Sequence, residues 1–300
     1  MKWQDKGENI HIDPSEPFSY KDCLIYLDRS AIECMHKVEN EKLYKLIDLA
    51  EGLILVEVQY KESKLVITCL NKTPSASGKE HISKEIYTLF DLGTNITPFY
   101  EQVKDDLILG ELISKYKGLR IIKINGFFEA ICWAIIGQQI NLTFAYTLKK
   151  RFVETYGDAL IYNEEPYYVF PKPEAIACLK VEDLRALQFT GRKSEYLIGL
   201  AKVFSEYAYI KGLSDLTYEE LHDALTRIRG VGPWTADYAI LKATSMNQAF
   251  PIADVGLHNA IKDVLDMDKK PSQEHIREMA VKWNGWEAYA TFYLWRSLYE

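Results

Sequence analysis

The sequence is short of most features that would assign it to a metal, disulfide or membrane class. Its five cysteines, Cys23, Cys34, Cys69, Cys132 and Cys178, form no C-x-x-C and no Cys/His cluster, so neither a disulfide framework nor a zinc or iron–sulfur centre is indicated. They read as small buried hydrophobes. No cysteine follows Cys178, which excludes a C-terminal four-cysteine cluster. No apolar run approaches the ~18–20 residues that a membrane helix requires, and the N-terminus MKWQDKGENI is polar with no apolar signal core. The expectation is a cytoplasmic protein, nucleoid-associated if it acts on DNA, with no membrane partner. No internal repeat of 20–50 residues is evident.

An excess of positive charge is missing too. The net charge of −7 argues at first against nucleic acid, since nonspecific affinity for DNA comes from Lys and Arg neutralising phosphates. The distribution changes that reading. Residues 1–112 hold 13 Lys and Arg against 20 Asp and Glu, while the rest of the chain holds 23 of each. The acidity belongs to the N-terminal third, and a neutral remainder can still bind DNA through a local basic face and backbone N–H groups.

What is present is a 300-residue chain, 48% hydrophobic and 26% charged, long enough for two or three packed units at the usual ~100–200 residues each. Residues 1–19, with Pro14 and Pro17, read as an irregular segment. CLIYLD from Cys23 reads as a strand, and LILVEVQY, KES and KLVITCL read as a β-hairpin. ISKEIYTLFDLG reads as an amphipathic helix with Ile82, Ile86, Leu89 and Phe90 on one face and Gly93 as its stop. Residues 1–112 thus form a small α/β unit with nothing catalytic in it. After residue 113 strand signals nearly vanish. A buried helix, apolar from 127 to 136, is interrupted at Gln138, Gln139 and Asn141, and a kink at 137–141 would put two amides where DNA could meet them. Residues 157–173 read as a connecting loop. Helices follow at 173–179, 181–187, 193–209 and 217–228, with turn residues Gly191, Gly212 and Ser214. Three more run from 254 to about 266, 272 to 283 and 286 to 298. The fold class is α+β and mostly helical. A central helical domain covers 113–245, and a C-terminal helical part, 246–300, is expected to pack with residues 98–126.

Chemistry concentrates in residues 225–258, LTRIRGVGPWTADYAILKATSMNQAFPIADVGLH. The turn Arg229-Gly230-Val231-Gly232-Pro233 lies between two helices. Glycine at 230 and 232 would allow positive φ and let N–H groups and a helix N-terminus face a phosphate oxygen. Its plain alternative is an ordinary helix–turn–helix corner. Trp234 and Tyr238, four residues apart, share a helix face. They either pack in the core or stack on an everted base, where their rings would favour a cationic base by ~0.5–2 kcal/mol. Trp295 could close the same pocket or be core. Asp254 reads as an N-cap, and a capping carboxylate is also suited to stabilising an oxocarbenium-like sugar or activating water. His258, one turn later, reads as a packing residue within reach of Asp254, and Asp237 as a partner for nearby backbone.

IRGVGPWTADYA followed some twenty residues later by the carboxylate of PIADVGL resembles the helix-hairpin-helix and Gly/Pro-Asp signature of the DNA base-excision glycosylases. Within that superfamily the chain is most similar to the DNA-3-methyladenine glycosylase II branch. FFEAICWAIIGQQINLTFA resembles the helix pair carrying the DNA wedge, YVFPKPEAIA the connecting loop, and the N-terminal unit the branch's antiparallel TATA-binding-protein-like domain. The resemblance covers residues 18–298. It implies a helical core of two subdomains, with the hairpin at about 217–245. Asp254 would be the catalytic carboxylate, and Trp234 would stand where bifunctional members carry a Schiff-base lysine. Tyr238 and Trp295 would join Trp234 in the base pocket, Gln139 would fill the gap left by the flipped nucleotide, and Arg229, Gly230, Val231 and Gly232 would contact DNA. Carbonyls of Thr226, Ile228 and Val231 would hold a monovalent cation, sodium or potassium. No other cofactor is implied.

The expectation is a monomeric, monofunctional glycosylase. It would hydrolyse the N-glycosidic bond of alkylated purines in double-stranded DNA and leave an abasic site without nicking. The alternatives are a glycosylase for oxidised or deaminated bases on the same fold and a noncatalytic helix-hairpin-helix DNA-binding protein.

Overall fold

The N-terminal half is built on a sheet whose centre is the hairpin of two apolar runs. The computed structural model of the chain describes residues 1–206, 212–213 and 215–299. Strands β1 (Trp3–Asp5) and β2 (Asn9–Ile12) are followed by helix α1 (Tyr20–Leu27). Strands β3 (Lys37–Glu39), β4 (Lys42–Leu49), β5 (Gly52–Lys61) and β6 (Lys64–Cys69) come next. All pair antiparallel in the order β1-β2-β6-β5-β4-β3, with Val58 opposite Ile67 and Tyr60 opposite Leu65. Because side chains alternate along a strand, Ile54, Val56 and Val58 enter the main core beside Ile82 and Ile86 of helix α2 (Ala76–Leu89). Leu55 faces the other way, joining Leu46 and Val169 in a small second cluster.

Four local expectations are corrected here. CLIYLD belongs to α1. Tyr20, Cys23, Leu24 and Leu27 recur at helical spacing and are buried, and Ser19 caps the helix by accepting from the Asp22 N–H. Residues 1–19 are not irregular throughout, since Ile10 and Ile12 alternate into the core once β2 finds β6 as a partner. Residues 157–173 hold a hairpin, β7 (Ala159–Tyr162) and β8 (Glu165–Tyr168), turned at Asn163 and Glu164 with φ of 49° and 66°; it packs on the second cluster. Gly93 does not stop α2. That helix ends at Leu89, and Asp91, with φ of 45°, takes the left-handed position.

Helices α3 (Thr97–Val103) and α4 (Leu109–Lys115) lead to α5 (Phe127–Gly137) and α6 (Leu142–Tyr156). After the β7–β8 hairpin come α7 (Pro173–Ala177), α8 (Val181–Ala186) and α9 (Gly191–Phe204). The helix expected over 193–209 starts at Gly191, expected as a turn, and ends at Phe204 with Ser205 as its C-cap; residues 207–209 and the turn at Ser214 lie outside the described residues. Then follow α10 (Tyr218–Thr226), α11 (Pro233–Ala243), α12 (Val255–Val264), α13 (Gln273–Met279), a 3₁₀ turn (Ala280–Trp283) and α14 (Glu287–Arg296). Residue 112 falls inside α4, which with α3 packs on the C-terminal helices: Tyr100 and Tyr293 hydroxyls bond at 2.7 Å, and Gln102 Nε2 donates to Lys282 O at 2.9 Å.

Buried polar ties lock these parts. The Arg120 guanidinium donates to carbonyls of Ser15, Pro17 and Thr94, and Asp91 accepts from the Tyr289 hydroxyl at 2.6 Å. Each group is wholly or nearly buried, so leaving it unpaired would cost about 1–3 kcal/mol or more. One continuous core therefore runs from Ile10 to Trp295, and it sets α11, α12 and α14 side by side.

Candidate active site

Asp254 is placed by the loop before it and the helix after it. Pro251 turns the chain, Asp254 takes extended geometry (φ −69°, ψ 125°), and Oδ1 accepts from the Leu257 N–H at 2.8 Å, capping α12. Leu257, Ala260 and Ile261 then bury that helix's apolar face. The carboxylate is half-buried and has two further donors from other helices. Trp295 Nε1, on α14, donates to Oδ1 at 2.8 Å, and Trp234 Nε1, on α11, points at Oδ2 from 3.3 Å. Neutral indole donors hold the carboxylate in place without cancelling its charge.

Gly256 makes this convergence fit. A Cβ there would lie 2.9 Å from Asp254 Oδ1 and 3.4 Å from the Trp295 indole. Its importance is invisible in sequence, where it is one more helical glycine.

The three expected pocket aromatics form a column. Ring centroids of Trp234 and Tyr238 are 5.9 Å apart, and those of Tyr238 and Trp295 5.8 Å apart, with interplanar angles of 37° and 43°. Burial pushes the Tyr238 phenol well above its usual range, with Tyr26 adding to the effect, so the ring stays neutral. Helix spacing put Trp234 and Tyr238 together; the indole bonds to Asp254 are the addition that only the fold supplies.

In the hairpin only Gly230 uses the left-handed region, at φ 95°, and a Cβ there would meet the Tyr196 ring at 2.4 Å. Gly232 has φ −90°, correcting the expectation of positive φ at both glycines. It is the N-cap of α11, exposed and with open space around it, so backbone N–H groups of the first turn stand clear. The Val231 side chain is buried, leaving only its backbone to meet a ligand. Arg229 is exposed, bonds Glu195 at 2.8 Å and lies over Tyr196 at 5.7 Å. Thr226 ends α10, and the Ile228 carbonyl accepts from the Val231 N–H at 3.0 Å.

The break between α5 and α6 separates the two glutamines expected at one surface. Gln138 turns inward, its Nε2 donating to the Gly230 carbonyl and the Thr235 hydroxyl, both at 3.1 Å. Gln139 is exposed with φ 57°, a conformation uncommon for a side chain of its size. Leu142 and Phe144 stand exposed beside it. Sequence reasoning gave Gln138 no separate role, because its partners Gly230 and Thr235 are more than ninety residues away in the chain.

Two other expectations resolve cleanly. The His258 ring meets the Ile252 carbonyl at 2.7 Å and not the Asp254 carboxylate. Asp237 accepts from the Tyr218 hydroxyl at 2.6 Å, with His222 4.0 Å away, so its main partner is a side chain and not backbone.

The site thus joins a carboxylate, held by the indoles of both outer rings of the aromatic column, to a glycine hairpin that leads into α11. Residues 132–285 match the HhH-GPD superfamily of base excision DNA repair proteins. The chain belongs to that superfamily. Residues 15–131 match the N-terminal domain of 8-oxoguanine DNA glycosylase. Among HhH-GPD relatives, a DNA-3-methyladenine glycosylase of Bacillus subtilis (strain 168) is 41% identical over 303 residues, covering 100% of both chains. DNA-3-methyladenine glycosylase 2 of Escherichia coli (strain K12) is 29% identical over 192 residues, 62% of this chain and 65% of that one. A solved 3-methyladenine DNA-glycosylase from Archaeoglobus fulgidus superposes with a TM-score of 0.82 at 25% identity, covering 95% of this chain and 96% of that one. The helical core, antiparallel N-terminal sheet and superfamily expected from sequence are all borne out.

Proposed function

We propose that the protein is a monofunctional DNA glycosylase that hydrolyses the N-glycosidic bond of alkylated purines in double-stranded DNA. The observation that carries this reading is Asp254, held by the Leu257 N–H and two indole N–H groups at the foot of the Trp234–Tyr238–Trp295 column. The named activity of the Bacillus subtilis relative supports the substrate class.

The geometry accounts for the chemistry in order. The backbone N–H groups of Gly232 and of the first turn after Pro233 hold a phosphate at the N-terminus of α11. Gln139, displayed outward by the anchored Gln138, enters the gap as the nucleotide leaves the stack, a step that is cheaper where damage has weakened pairing. The aromatic column receives a base carrying positive charge. An alkylated purine is a good leaving group, so the transition state needs stabilisation chiefly at the sugar, where the Asp254 anion faces the developing oxocarbenium and orients water. The described partners of Asp254 include no amine. Lys242, eight residues beyond Trp234 and therefore about 12 Å along α11, donates instead to the Ile122 carbonyl. No imine forms at C1′, and the product is an unnicked abasic site.

The family resemblance assigns a monovalent cation to the carbonyls of Thr226, Ile228 and Val231, neutral oxygen donors on either side of the Gly230 turn, and an ion there would stiffen the hairpin against a phosphate. The protein is read as working as a monomer in the cytoplasm, and among the described residues no helix is long and apolar enough to cross a membrane.

Borohydride treatment during turnover tests the monofunctional reading. We expect base release with no protein–DNA adduct; a trapped adduct would replace this mechanism with a lyase.

A further inference from the structure

A small cavity lies behind Tyr238, between the N-terminal unit and the helical core. It measures about 60 Å³ and is bordered by Tyr26, Arg29, Glu33, Trp133, Tyr238 and Lys242. At ~30 Å³ per water this is room for two waters, or for one edge of a base whose body lies outside it. Arg29 enters from the end of α1. Among the described residues its one hydrogen bond is from Nη1 to the Tyr26 carbonyl at 2.7 Å, so most of its five donors have no protein partner. Its guanidinium stacks 4.0 Å over the Tyr26 ring and lies 5.7 Å from the Tyr146 ring.

Two observations show that this arginine is not serving the fold through an ion pair. Glu33, the carboxylate near it, is taken by Lys149 at 2.8 Å, and Arg29 has no salt bridge among the described residues. Tyr238, the middle ring of the aromatic column, lines the same cavity as Arg29, which places the cavity against the proposed base site.

We propose that Arg29 reads the edge of the everted purine and determines specificity for bases that present a carbonyl there. This rests on the glycosylase reading above. A guanidinium N–H donates to O6 of a 6-oxopurine even where a methyl group has taken N7, whereas the 6-amino group at the same position of an adenine lesion turns a donor toward a donor. The cation also opposes a positively charged base, whether adenine- or guanine-derived, so only the edge group separates the two. Arg29 thus selects among lesions while Asp254 acts on whichever base is seated.

The test uses duplex DNA methylated to carry both 7-methylguanine and 3-methyladenine, with single-turnover release of each measured in the same tube. For Arg29→Met we expect 7-methylguanine release to fall by roughly tenfold, the size of one good edge contact, with 3-methyladenine release held within about threefold or raised. Arg29→Lys, which keeps a cationic donor without the fork, restores part of the ratio. Equal slowing of both bases by Arg29→Met, or an unchanged ratio, overturns the proposal. Should Arg29→Met fail to fold, Arg29→Lys decides by the same ratio. Wild-type enzyme that releases neither base would refute the glycosylase reading instead, so the two failures are distinct.

Discussion

Gly256→Ala separates what the site requires from what the fold requires. The added methyl sits in α12, where alanine is worth up to about 1 kcal/mol more than glycine. Nothing in the backbone forbids it, since Gly256 is not in the left-handed region. The same Cβ would stand 2.9 Å from Asp254 Oδ1, closer than such atoms approach, and 3.4 Å from Trp295 Nε1, already in contact, so the carboxylate must move by a few tenths of an ångström. A misplacement of about 1 Å at a reacting centre can cost about 100-fold. Weakening a charge-assisted hydrogen bond takes a share of its ~1.5–3 kcal/mol. We therefore expect single-turnover base release to fall about ten- to thirtyfold, with the thermal midpoint unchanged or slightly raised and affinity for abasic-site DNA unaltered. Release at the wild-type rate would refute the claim that the three-donor placement of Asp254 matters. Loss of folding together with activity would show that Gly256 serves packing instead.

Trp295→Phe keeps an aromatic face and removes the 2.8 Å donor to Asp254, so base release should drop by about tenfold or more while tyrosine fluorescence and far-ultraviolet dichroism report an intact fold. Gly230→Ala combines an unfavourable positive φ with a Cβ 2.4 Å from the Tyr196 ring. It should destabilise the chain by about 1–3 kcal/mol and weaken binding to DNA of any sequence, read by denaturant unfolding and by titration against undamaged duplex. His36 is pushed down to about 4 from 6.5 by burial, with its imidazole on the Leu27 carbonyl. The unfolded chain binds the extra proton between those values, so this contribution is full above pH 6.5 and is lost as pH falls toward 4. Wild type should lose roughly 2 kcal/mol more than His36→Gln between pH 7 and 5 in urea unfolding.

Much of this architecture was legible where one local signal dominated. The β5–β6 hairpin follows from β-branched alternation around Glu62–Ser63, and Asp254 capping a helix from its place after Pro251. Trp234 and Tyr238 share a face because helix geometry demands it. The misreadings have equally local causes. CLIYLD carries β-rich composition but helical periodicity, and Ser19 three residues before Asp22 was the capping signal that decides between them. The β7–β8 hairpin is a run of exposed and half-exposed residues whose pairing depends on packing over Leu46 and Leu55, far away in sequence. Gln138 and Gly256 acquire their roles only when separate helices meet, so no pattern within either segment announces them. Arg29 is subtler still, an unremarked basic residue in the acidic third of the chain that the fold carries to the back of the pocket.

The central claim is that Asp254 performs the hydrolysis in a pocket otherwise intact for binding. The direct measurement is chromatography of bases released from methylated duplex DNA by wild type and by Asp254→Asn, paired with affinity for the same DNA. The amide keeps the size of the side chain and an oxygen to accept from the Leu257 N–H, and it removes the negative charge. We expect release to fall by at least about 100-fold, a loss of some 2.7 kcal/mol of transition-state stabilisation, with binding changed by less than about threefold. Release by Asp254→Asn at a rate near wild type would contradict the account.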